Sequence, residues 1–233
     1  MNFLRKYKKQ NSSIKIKRLS DKYMICNYNL NDNDTIDVDE NVYLHNKNLR
    51  KIPLDFNIVN GSFDCNDNRL RNLKKSPNIV SDFFDCSNNN LKSLKNAPSI
   101  VKSHFFCDEN KLKSLKYCPG KVGGKFDCSF NRIESLEYYV WNNYNLYCYY
   151  NNINTFDFFP SFKKNVIFDH NPIYHIYMLF EDMNLIELTY YYDFAWDGVI
   201  QLERLKVFLD DCGKEYTYDY LKSYLKKNKW KYI

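Results

Sequence analysis

The stretch FDCSNNNLKSL, residues 84–94, recurs with small changes as FDCNDNRLRNL at 63–73 and as FDCSFNRIESL at 126–136. Cys65, Cys86, Cys107 and Cys128 stand 21 residues apart and Cys148 follows after 20, with Leu44 and Phe168 extending the column at either end. Two residues ahead run Val42, Phe63, Phe84, Phe105, Phe126, Leu146 and Val166. Three residues behind run Asn68, Asn89, Asn110, Asn131, Asn151 and Asn171. Two aliphatic columns follow, one from Leu49 to Ile173 and one from Ile52 through Phe156 to Ile176. Pro77, Pro98, Pro119 and Pro160, then Val59, Val80, Val101 and Val122, complete the unit. A constant period means one structural unit repeated, so the cysteines occupy one position many times over rather than forming pairs.

Each column has a physical task. Phe63 and Cys65 alternate inward on a short strand, leaving residues 62, 64 and 66 outward. One such coil cannot bury its own apolar edge; stacked coils bury it against each other. The Asn column falls where the chain turns inward and its backbone groups lose sheet partners. An Asn amide both donates and accepts, so it is expected to form a ladder between its own coil and the next.

The pattern resembles the leucine-rich repeat, L-x-x-L-x-L-x-x-N-x-L, over seven units at about 38–176. The short period with a late proline is similar to the bacterial-effector type, which implies an extended rather than helical convex side. Composition and the cysteine-bearing coil are also similar to leucine-rich repeat proteins of large DNA viruses and phages. That resemblance implies a host-cell cytoplasmic setting. Two units depart from the pattern: Lys47 takes the place of the Asn, and Val140 that of the proline.

The expected fold is therefore an α/β repeat solenoid with short parallel strands and a helical C-terminal cap. Residues 1–37 are expected as an N-terminal cap of strand or hairpin, 38–176 as the repeats and 177–233 as the cap. The cap reading rests on apolar residues at three- and four-residue intervals in 177–194 and 198–213, with Gly213 as a C-cap. A third helix is expected to start at Thr217.

Composition narrows the function classes. A net charge of +6 is too mild to argue for nucleic acid by itself. The bias toward Asn, Lys, Tyr and Phe reads as an AT-rich genome. The basic start has no apolar core of a secretory signal, and no 18-residue apolar run marks a membrane span. The eight cysteines are therefore expected as free thiols in reducing surroundings. Four scattered histidines, no P-loop and no G-x-G-x-x-G lead to the expectation of no catalytic residues, cofactor or metal site.

Outward strand positions converge on one face, the concave one in a leucine-rich repeat. Its aromatic half comprises Phe106, Phe130, Tyr147, Tyr149 and Tyr150; Asp64, Asp85 and Asp127 form an acidic column. Aromatic residues concentrate binding energy at interfaces, so this face is the expected site for a protein partner. The turns after the Asn column are basic, with Lys92, Lys95, Lys113 and Lys116 in register. That flank is a solubilising face or, in a further alternative, a nucleic-acid surface. A structural role in a virus particle is the other alternative; membrane insertion is not expected.

Overall fold

A computed structural model describes residues 2–140, 145–155, 158, 165–180, 195–196, 199–211 and 213–233. Pro160, Phe156 and the segment 181–194, for which the sequence suggested a proline position, a core position and most of a helix, lie outside them.

The chain is a leucine-rich-repeat-like solenoid with two parallel sheets. Val42–Tyr43 (β3), Phe63–Asp64 (β5), Phe84–Asp85 (β7), Phe105–Phe106 (β9), Phe126–Asp127 (β11), Asn145–Tyr147 (β12) and Asn165–Ile167 (β13) form a seven-stranded sheet in sequence order. Each pairs in parallel and in register with the next, as Phe63 with Phe84 and Phe84 with Phe105. The valine column builds a second sheet from Phe56–Val59 (β4), Ile79–Val80 (β6), Ile100–Val101 (β8) and Lys121–Val122 (β10). The side opposite the first sheet is thus extended, as the short period implied. A helix needs 1.5 Å per residue and ten or so residues to bury a face, which the return path does not have.

Between the sheets the repeated side chains stack into columns. The Phe63, Phe84 and Phe105 rings are parallel within 8°, with centroids 5.4 and 5.6 Å apart. Phe126 continues the stack at 5.0 Å and is closed by the edge of Tyr139. Each such ring, fully withdrawn from water, contributes roughly 1.5–3 kcal/mol. Cys65, Cys86, Cys107, Cys128 and Cys148 are free and buried. Cys86 and Cys128 Sγ donate weakly to the carbonyls of Phe106 and Tyr147 in the next coil, both at 3.4 Å.

The Asn column forms the expected ladder. Asn89 Nδ2 donates to the carbonyls of Cys65, Cys86 and Ser87, while its Oδ1 accepts from Leu70 N at 2.8 Å. Asn68, Asn110, Asn131 and Asn151 repeat this arrangement of donors and acceptor. In the first unit, where Lys47 replaces Asn, the next residue, Asn48, takes positive φ, which its equivalents Arg69, Asn90, Lys111 and Arg132 do not. The turn departs there as the sequence suggested.

The N-terminal region differs from the strand-or-hairpin expectation. A helix, Asn2–Tyr23 (α1), comes first, and only then an antiparallel hairpin of Tyr28–Leu30 (β1) and Ile36–Val38 (β2). Residues 2–23 contain no Pro or Gly and are rich in Lys, Arg, Leu and Ile, all compatible with a helix. Ile16 is buried, with Leu19 and Tyr23 packed partly against the core. Strand β2 then joins the second sheet alongside β4, with a register shift between Ile36 and Asp37.

At the other end, Pro172–Tyr177 (α2) grows out of the last coil, and Leu202–Asp211 (α3) and Tyr218–Lys227 (α4) pack over it. Thr217 caps α4 by accepting from Tyr220 N, and Gly213, at φ 71°, ends α3 with Lys214 N bonded to Leu209 O. Tyr224 Oη donates to His175 O at 2.8 Å and Trp230 Nε1 to Pro172 O at 3.2 Å, which ties the helices to the last coil.

Candidate interaction surface

The outer face of the seven-stranded sheet sorts into an acidic and an aromatic half. In the acidic half Asp64 and Asp127 are nearly covered, at 9% and 7% exposure, whereas the sequence suggested an exposed column. Their oxygens are occupied. Asp64 meets His45 Nδ1 at 2.9 Å and accepts from Asn66 N; Asp127 accepts from Ser129 N and Oγ and pairs with Lys125 Nζ at 3.0 Å. Asp85 accepts from Ser87 N and Oγ and from Asn66 Nδ2. These carboxylates fasten one coil to the next and turn the chain off the strand. Burial pushes the Asp64 carboxyl up. Asp108, half-buried beside Asp127, is pushed up to about 7, chiefly by burial and then by Asp127.

The aromatic residues fall into two groups. Phe106 and Tyr147 lie on β9 and β12 with Asp127 of β11 between them, so they are not direct neighbours. Lys125 bridges them, its Nζ 3.9 Å from the Tyr147 ring centroid and 5.6 Å from that of Phe106. His104 adds its ring 5.8 Å from Phe106 and accepts from Lys125 N through Nδ1 at 2.8 Å. Neither Lys125 nor His104 was legible as a site residue, because their shared column, Ser62, Phe83, His104, Lys125 and Asn145, keeps no residue type from coil to coil.

The second group is Phe130, Tyr149, Tyr150 and His170. Tyr150 is sandwiched between Phe130, at 4.7 Å and 9°, and His170, at 4.0 Å and 15°. Tyr149 meets both Phe130 and Tyr150 edge-on. His170 Nδ1 lies 2.6 Å from Asp169 Oδ2. Phe130 and Tyr150 remain 43% and 44% exposed. Both sit in a column of left-handed residues: Asn46, Asp67, Asn88, Glu109, Phe130, Tyr150 and His170 all have φ between 47° and 58°. Asn and Asp tolerate this conformation; bulky rings do so at a cost.

The stack opens into a pocket of about 720 Å³ between the last coils and the cap. Tyr150, His170, Tyr174, His175, Lys229 and Trp230 line it together with amides of Asn152, Asn154 and Asn228. Burial, then nearby His170, holds the His175 imidazole below its usual range.

The basic flank is present as aligned turns, with Lys92, Lys95, Lys113 and Lys116 all exposed. Cys118 is half-buried and pushed up to about 11 by burial, its Sγ bonded to Tyr138 O. Among the described residues no group of three or more His, Cys, Asp or Glu is placed to hold a metal ion, and no helix is long and apolar enough to cross a membrane.

No family model matches the chain, and no curated protein matches it. Among solved structures it is similar to a Shigella effector LRR domain, at 24% identity and TM-score 0.48. The likeness covers 56% of this chain and 58% of that one.

Proposed function

We propose that the chain is a non-enzymatic interaction module that binds a protein partner through the aromatic half of its strand face. The observation that carries this reading is the placing of Phe130 and Tyr150 in left-handed backbone. The first three coils put Asn or Asp there at little cost and the fourth Glu109; Phe130 and Tyr150 hold large rings there, exposed, in a stacked row that His170 continues. Backbone strain of about 1–3 kcal/mol persists where a site uses it. Pre-stacked rings lose little entropy on binding, and a neighbouring pocket can receive a partner side chain, the arrangement typical of interface hot spots. Asp64, Asp85 and Asp127 are supports in this reading rather than contacts. The resemblance to viral repeat proteins makes a host-cell protein the partner class.

The test is affinity capture from the natural cell with wild-type chain and with Phe130→Asn/Tyr150→Asn. A partner retained by the wild type, surviving nuclease and lost with the variant, supports the reading. Equal capture by both chains overturns it. Stoichiometric recovery of the protein in purified particles would favour the structural alternative.

A further inference from the structure

The opposite edge of the solenoid carries a groove of different chemistry. Arg50, Arg69, Arg71, Lys92, Lys111 and Asn90 line a cleft of about 620 Å³ across successive turns. The turns 69–75, 90–96 and 111–117 contain no Asp or Glu. Among the described residues none of the five cations is paired with a carboxylate; Lys111 Nζ reaches only Asn90 Oδ1, at 2.6 Å. Backbone bonds between coils, such as Arg69 N to Leu49 O and Lys111 N to Leu91 O, fix the turns one strand spacing apart, about 4.8 Å. The cations of the groove are thus held close together, while carboxylates occur only toward the ends of the ridge, Asp55 paired with Lys75 at 2.8 Å and Glu134 and Glu137 in the turn that follows.

At the edge of the same ridge stand two rings. Tyr117 is 53% and Tyr138 42% exposed, and Lys116 Nζ lies 5.5 and 5.8 Å from their centroids. Tyr117 again has positive φ, 71°, at a turn position that Lys75 and Asn96 hold in the preceding coils. A cationic groove and exposed rings on one ridge are the combination that follows a phosphate backbone and stacks unpaired bases.

We infer that this ridge binds single-stranded nucleic acid, with the groove on the phosphates and Tyr117 and Tyr138 on the bases. The site is separate from the strand face, so Phe130→Asn/Tyr150→Asn leaves it intact. A carboxylate-rich protein would need no rings beside the groove, and a duplex would not offer base faces to them.

Fluorescence anisotropy with a labelled oligouridine strand tests this. Five phosphate contacts give a slope of log K against log salt of about −3.5, and Lys92→Glu/Lys111→Glu makes it shallower while weakening binding on the order of tenfold or more. Tyr117→Ala/Tyr138→Ala weakens the oligouridine about tenfold or more and leaves heparin binding unchanged. All four positions are exposed, and a thermal melt of each variant checks folding. The inference is overturned if the wild type fails to bind oligouridine at low salt, or if charge reversal has no effect. It is equally overturned if the tyrosine variant binds as the wild type does, or if a duplex or polyglutamate binds as tightly as the single strand.

Discussion

Asn110 Nδ2 donates to the carbonyl of Cys86, in the coil before its own, at 3.0 Å, while Asn110 Oδ1 accepts from Leu91 N at 2.9 Å. Asn110 Nδ2 also donates to Cys107 O and Asp108 O of its own coil, so one side chain satisfies backbone groups of two coils inside a region closed to water. Asn110→Ala leaves those groups buried and unpaired, and should lower stability by about 1–3 kcal/mol in urea melts. Asn110→Asp keeps the acceptor but replaces the donor with a buried charge, so it should be at least as damaging. Melts equal to wild type would exclude the ladder as a source of stability.

How far the sequence revealed this depends on repetition. The Asn, Cys and Phe columns are legible because a slot that recurs must take the same residue type, and their phase sets which side chains face inward. The left-handed column next to them is different. It begins with Asn46, Asp67 and Asn88, which favour positive φ, but passes through Glu109, Phe130 and Tyr150, which do not, before His170, so propensity alone loses the thread midway. Lys125 joins Phe106 to Tyr147 from a column whose residue type changes in nearly every coil, Ser62, Phe83, His104, Lys125 and Asn145 in turn. Helix α1 lies outside the repeat and buries few side chains, so neither period nor apolar face signals it.

Burial sets the chemistry of the cysteine column. Cys65, Cys86, Cys107 and Cys128 are all pushed well above 9.0, first by burial and then by neighbouring thiols or carboxylates. Above about pH 9 the unfolded chain releases these protons and the folded chain keeps them, so stability should fall as pH rises further. DTNB should label Cys26, which is exposed, quickly and the buried column only on unfolding. Cys86→Ser should cost on the order of 1–3 kcal/mol, and Cys86→Ala less.

Asp108 gives a pH dependence in an ordinary range. Its carboxyl is pushed from 3.8 to about 7, first by burial and then by Asp127. Between those values the unfolded chain releases a proton that the folded chain retains, so this residue makes stability fall as pH rises. Asp108→Asn removes that loss. The variant's advantage over wild type should be absent near about pH 4 and largest above about pH 7. Denaturant melts at both pH values check it, and a constant difference would show that Asp108 is solvated.

Gly123 marks a close approach of coils. A Cβ there would lie 2.0 Å from the carbonyl oxygen of Lys102 in the preceding coil, and that oxygen belongs to backbone that cannot swing aside. Gly123→Ala should force the coils apart and cost about 1–3 kcal/mol in thermal or urea melts. By contrast, a Cβ on Gly120 meets nothing nearer than 3.9 Å, so Gly120→Ala should be close to neutral.

The strand-face reading separates stability from binding at two residues. Phe130 and Tyr150 hold φ near 50°, where Asn88 stands in an earlier coil without steric cost. Phe130→Asn therefore relieves the backbone but gives up stacking on Tyr150 at 4.7 Å; the two effects, each of about 1 kcal/mol, oppose one another. The melt should move by less than about 1 kcal/mol in either direction. If the rings are hot spots, partner affinity should fall by at least about 2 kcal/mol in the same variant, measured by titration calorimetry once the partner is in hand. Tyr147→Ala should cost less affinity, because Lys125 already covers that ring at 3.9 Å. A Phe130→Asn chain that binds normally, while Tyr147→Ala fails, would move the site to the other aromatic group.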